Sequence, residues 1–117
     1  MSNEIPIVNR GCLIVRPNLP YVEWINSLPN MANEPVDFDE VDADFATYLV
    51  PEIEDEEDVA RAVEAQFEKL FQLELEAWTM DKNLWPEITW SRFCEWFDVD
   101  CSSLVLDLAE EPLLHER

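Results

Sequence analysis

Residues 83–97 read NLWPEITWSRFCEWF and place Trp85, Trp90, Phe93, Trp96 and Phe97 in one short stretch. Whether those rings make a surface platform or a core decides what kind of domain the chain forms. Thr89 is a helix-capping residue type, and Trp90, Phe93, Cys94 and Phe97 follow at the spacing of one α-helical face. The spacing predicts a helix capped at Thr89 with those four side chains buried, Cys94 packing as a small hydrophobe. Trp85 lies beside Pro86 in a connection and Trp96 sits one step off the stripe. These two are the candidate aromatic contacts for a partner, since Trp is enriched at interface hot spots.

A base-stacking role for these rings fails on charge. Single-strand binders interleave aromatics with Lys and Arg to neutralise the nucleic-acid backbone. From Trp78 to Asp100 the only cations are Lys82 and Arg92, against Asp81, Glu87, Glu95, Asp98 and Asp100. Core packing is the better reading, because each large ring buries ~150–250 Å².

Upstream, Asp55 is a candidate N-cap for the longest periodic segment. Val59, Val63, Phe67, Leu70 and Phe71 trace one face, continued by Leu75 and Trp78, with Glu57, Glu64 and Glu68 away from it. No breaker interrupts it, so the helix is expected to run to about Met80. Cys12-Leu13-Ile14-Val15 is short, β-branched and bounded by Gly11 and Arg16-Pro17, a strand pattern. Asn18 then caps a helix whose first turn holds Pro20 and whose face is Tyr21, Trp24, Ile25 and Leu28. Thr47–Val50 is a second strand, which Pro51 places at a sheet edge or terminates. Leu104–Leu108 is the expected third strand, and Glu34–Asp44 an irregular acidic connection pinned by Val36, Phe38 and Val41. The chain is therefore expected to be one α+β domain in β-α-β-α-α-β order. A three-stranded sheet is covered on one face by helices, with an N-terminal arm at residues 1–10 and a loose tail at 110–117.

Composition supports a folded single domain: 117 residues, 48% hydrophobic and 11% aromatic. The three cysteines form no paired motif. Residues 1–10 lack the apolar run of a signal peptide, and no stretch reaches a membrane span. These features predict reduced thiols, a cytoplasmic location and no membrane partner.

GCLIVRP, YVEWINSL, TYLVPEI, LWP followed by EWFDV, and SLVLDL occur here in that order. Together, over about residues 11–112, they resemble a group of small, acidic, uncharacterised bacterial proteins. The resemblance implies a bacterial or phage cytoplasmic origin and supplies no activity, cofactor or catalytic residue.

The acids, thiols and lone histidine offer no assembled site chemistry. A calcium loop beginning at Asp37 would need Gly at its sixth position and Glu at its twelfth, but Asp42 and Tyr48 stand there. That leaves a solvated acidic loop, or at most loose divalent-cation binding. His115 is the only histidine and lies in the tail, so neither a zinc set nor a Cys-His pair is indicated. One glycine cannot build a phosphate loop. No metal, cofactor or catalytic residue is therefore assigned, and the chain is not expected to be an enzyme.

The remaining signal is charge: 27 acids against 7 Lys and Arg, net −20. Such a field opposes direct binding to nucleic acid and favours a basic protein partner. The expected docking surface is Asp37, Asp39, Glu40, Asp42 and Asp44 in the first acidic run, and Glu54, Asp55, Glu56, Glu57 and Asp58 in the second. Glu64 and Glu68 extend it. A domain of this size exposes roughly 6,600 Å²; spread evenly, the net charge falls well below the density of duplex DNA. Imitation of DNA, or immunity-type inhibition of a basic toxin, would therefore require the acids to segregate onto one side. The alternatives are a soluble housekeeping or scaffold domain whose acids serve solubility alone, and an enzyme with an unrecognised carboxylate site.

Overall fold

Strand β1, Gly11–Pro17, alternates buried Gly11, Leu13, Val15 and Pro17 with partly exposed Cys12, Ile14 and Arg16. That period of two is what a half-buried strand requires. The computed structural model describes residues 7–115. Most of the expected N-terminal arm, residues 1–6, and the end of the expected tail, residues 116–117, lie outside them.

β1 is the centre of a three-stranded antiparallel sheet in the order β2-β1-β3, with β2 at Ala46–Val50 and β3 at Phe97–Ser102. Helix α1 (Leu19–Ser27), α2 (Phe38–Ala43), α3 (Glu56–Glu76) and α4 (Trp90–Trp96) complete the α+β domain. Leu13, Val15, Val50 and Phe97 face the helices. Against them pack Tyr21 and Ile25 of α1, Leu70, Phe71 and Leu75 of α3, and Phe93 of α4. The opposite face carries Cys12, Ile14 and Arg16, flanked by Thr47 and Leu49 on β2 and by Asp98 and Asp100 on β3.

Three α-helices are capped by side chains: Asp37, Asp55 and Thr89 accept from the Glu40, Asp58 and Arg92 backbone N–H groups. Only Asp55 and Thr89 were anticipated. Residues 38–43 were expected to be irregular and instead form α2, where Asp37 caps, Asp39 and Glu40 occupy the first turn, and Val41 is buried. Carboxylates there are favourable against the helix dipole. Asn18 stands at the N-cap of α1, but its side chain makes no cap bond. Its amide instead donates to the Glu95 carbonyl, tying α1 to α4.

Other expectations are corrected. The third strand is Phe97–Ser102, not Leu104–Leu108. From the latter segment only Leu106 pairs, in an isolated bridge with Ile7, while Leu104, Leu106 and Leu108 point outward. Helix α3 ends at Glu76 rather than near Met80. Cys94 is exposed, not buried. Trp90, expected in the core, is 41% exposed although it packs edge-on against Phe67.

Gly11 holds a close approach rather than a turn. A Cβ at this position would lie 2.6 Å from both Cγ1 and Cδ1 of Ile53. Ile53 is β-branched and buried, so it cannot simply swing away. Gly11→Ala is expected to cost ~1–3 kcal/mol by overpacking. Chemical denaturation checks it, and trimming Ile53 to Ala in the same chain should recover part of the loss.

Candidate functional site

The sheet and the last turn of α3 leave a cleft of about 310 Å³ between them. β1 supplies Val15 and Pro17, β2 supplies Tyr48, the C-terminal end of α3 brings Glu74, and Trp78 follows just beyond it. Asp44, the residue closing α2, and Phe45, just before β2, form the rim. Tyr21 enters from α1 and closes the floor.

Glu74 organises this cleft. Its Oε1 accepts from the Tyr48 hydroxyl at 2.7 Å, and its backbone carbonyl accepts from the Tyr21 hydroxyl at 2.7 Å. Burial pushes the Glu74 carboxyl above the usual carboxylate range; the Tyr48 hydrogen bond opposes that shift and the Asp44 charge adds to it. Both phenols are raised, chiefly by burial, with the Glu74 carboxylate reinforcing the effect. Glu74 thus connects the two phenols to one acidic site.

Sequence reasoning missed Glu74. The signal was there: position 74 falls on the stripe made by Phe67, Leu70, Phe71 and Trp78, so an acid sits on an otherwise apolar helical face. An ionisable group in that setting is a functional candidate.

A carboxyl raised in the folded state lets that state hold more protons than the unfolded chain. Its stabilising contribution is present below the ordinary glutamate range and is lost as pH rises through the folded value. Relative to Glu74→Gln, the wild-type protein should therefore lose stability as pH climbs through that window. Melting temperatures of both proteins between about pH 4 and about pH 8 measure the difference. Parallel curves would contradict the assignment.

The acids expected to form the docking surface divide into two groups. Asp37, Asp39, Glu40 and Asp42 lie on or beside α2, and Asp44 lies on the cleft rim. Glu54 and Asp55, with Glu56, Glu57 and Asp58, gather at the start of α3. Edge strand β2, five residues long, joins the two regions, so its ends stand ~15 Å apart. Glu64 and Glu68 are exposed farther along α3. Near the α2 end, Asp98 and Asp100 of β3 add to the first group, and Arg16 is the cation set among them. Arg16 pairs with Asp100 and, at 3.8 Å, with Asp42, while its guanidinium lies 5.0 Å from the Phe45 ring centroid. At the other end Asp58 takes the Glu54 backbone N–H and pairs with Arg61, which holds its carboxyl below the usual range.

The two candidate aromatic contacts are both half-buried. Trp96 packs at 5.4 Å from Phe71 and 6.0 Å from Trp24. Trp85 donates its indole N–H to the Thr79 carbonyl and has the Lys82 ammonium 5.8 Å from its ring. Among the described residues, no three His, Cys, Asp or Glu side chains converge as a metal centre requires. Nor is any helix there long and apolar enough to cross a membrane. No family model, curated protein or solved structure matches the chain.

Proposed function

We propose that this chain is a small binding domain that docks a basic partner protein through its acidic surface. The observation carrying this reading is the ratio of charge to internal neutralisation. Against a net charge of −20, three ion pairs form among the described residues, and they engage Asp42, Asp58 and Asp100. The other acids there pair with no Lys or Arg, and their field would steer a cationic surface toward the domain.

Averaged over the surface, the charge is too dilute to imitate duplex DNA. The accessible surface is 8549 Å², so twenty net charges average about one per 430 Å². Duplex DNA, taken as a ~20 Å cylinder, carries about one per 107 Å². An imitation of DNA by the whole surface is therefore the weaker form of the proposal. Docking at the α2 end, where Asp37, Asp39, Glu40, Asp42 and Asp44 fall within eight residues, is the stronger one. Occupation of a nucleic-acid-binding protein and inhibition of a basic toxin both fit a local patch.

Immobilised protein, exposed to lysate at low ionic strength, should retain a basic protein in stoichiometric amount and release it as salt rises. Absence of such a protein would favour acids that serve solubility alone.

A second reading draws on the cleft itself. A raised Glu74 beside Asp44 is the kind of carboxylate pair used in general acid–base work. Among the described residues no histidine, cysteine, serine or lysine lines the cleft, so the acids and phenols are the groups there that could act as nucleophile or base. An enzyme would require a small substrate whose turnover stops in Glu74→Gln, and binding does not.

A further inference from the structure

We infer that the cleft between α2, β2 and the end of α3 is a receptor for one arginine side chain of the basic partner. Its guanidinium would be held by Glu74 and Asp44 between aromatic walls. The inference rests on the basic-partner reading and names the contact that gives it specificity.

Size comes first. At about 310 Å³ the cleft sits at the bottom of the range for small-molecule sites, too small for a nucleotide-sized cofactor and suited to a single long side chain. Its chemistry is one-sided: the charged groups lining it are Asp44 and Glu74, and both are acids. Glu74 Oε1 is already occupied by Tyr48, whereas Oε2 accepts from no donor among the described residues. Nor does Oε2 belong to any buried, unsatisfied set there, so it keeps access to the cleft. An incoming N–H would find a fixed acceptor whose geometry Tyr48 has set in advance.

The walls add the second element. Tyr21, Phe45, Tyr48 and Trp78 line the space, and cations are drawn to aromatic faces. A planar guanidinium can stack on a ring while its N–H groups reach carboxylates, which a tetrahedral ammonium does less well. The protein uses that combination once already. Arg16 lies over the Phe45 ring while pairing with Asp100 and Asp42.

A defined probe tests this without the partner: a short, otherwise neutral peptide with one central arginine, added to the full-length protein at low salt. Its twins carry lysine or citrulline, the latter keeping the shape of arginine without its charge. Amide and indole NMR shifts should localise to Tyr48, Glu74 and Trp78. The arginine peptide should bind roughly tenfold tighter than the citrulline peptide. Glu74→Gln should weaken it by about fivefold or more, while Glu110→Gln, an equal charge change at an exposed position outside the cleft and the docking surface, should leave it unchanged. Asp44→Asn, at an exposed position, provides a second variant should Glu74→Gln perturb folding. Equal losses in Glu110→Gln and Glu74→Gln, shifts spread over the acidic surface, or equal binding of lysine or citrulline would each overturn the inference. Those results would leave the basic-partner reading intact, since it is tested by salt-dependent capture. Conversely, a failed capture with peptide binding at Glu74 would overturn that reading alone.

Discussion

Phe71→Ala is expected to remove ~3–5 kcal/mol of folding stability. Phe71 is fully buried, and its ring lies 5.4 Å from Trp96, 5.4 Å from Phe97 and 6.0 Å from Phe93. It therefore joins α3 to α4 and to β3 through one side chain. Removing the ring leaves a cavity that three separate elements would have to collapse to fill. Domains of this kind are stable by only ~5–15 kcal/mol, so the loss is a large share of the total. At roughly 4 °C per kcal/mol, the melting midpoint should fall by roughly 12–20 °C. Trp90→Ala is the contrast, because that ring is 41% exposed and meets the core only along its Phe67 and Phe93 side. Its shift should be much smaller. Equal shifts for the two would show that the aromatic segment does not pack as described.

The second large effect concerns the acids of α2. Replacing Asp39 and Glu40 by Lys and Asp37 by Asn changes the local charge by five units. It should abolish detectable retention of the basic partner. Asn is chosen at position 37 because Asp37 caps α2 by accepting the Glu40 backbone N–H. Asn keeps that acceptor, whereas losing the cap would cost ~1 kcal/mol and confuse charge with folding. Should the partner be a nucleic-acid-binding protein, the wild-type domain would compete with DNA for it and the variant would not. Retention of the partner by a folded variant would remove α2 from the docking surface.

The fold was legible wherever a local rule operates over enough residues. β1 announced itself by alternation, α3 by its long stripe and Asp55, and α4 by Thr89 and the Trp90–Phe93–Phe97 spacing. Helix α2 escaped notice because six residues with one buried side chain carry little periodicity, although Asp37 and Glu40 stood at capping distance. β3 was hidden for another reason. No glycine or proline separates it from α4, and Phe97 both ends that helix and begins the strand. Its alternation became meaningful only beside Arg16, which faces Asp98 in the pairing and reaches Asp100.

The rings show the same limit. Trp96 looked unplaced from its own helix, yet α1 supplies Tyr21 and Trp24 to pack with it. Trp90 matched the buried stripe, yet it lies in the first turn, where the core thins toward solvent. The acidic runs were legible as charge, but not their division between the two ends of β2. The cleft depends on long-range placement: Asp44 and Glu74 are thirty positions apart in sequence, and only the docking of α3 on β2 lets one influence the other.

Affinity for the captured partner, measured against ionic strength, bears most directly on the role assigned to the acids. Docking through unneutralised carboxylates predicts a dissociation constant that rises by roughly tenfold or more between about 50 and about 500 mM salt. A dissociation constant unchanged over that range would contradict it.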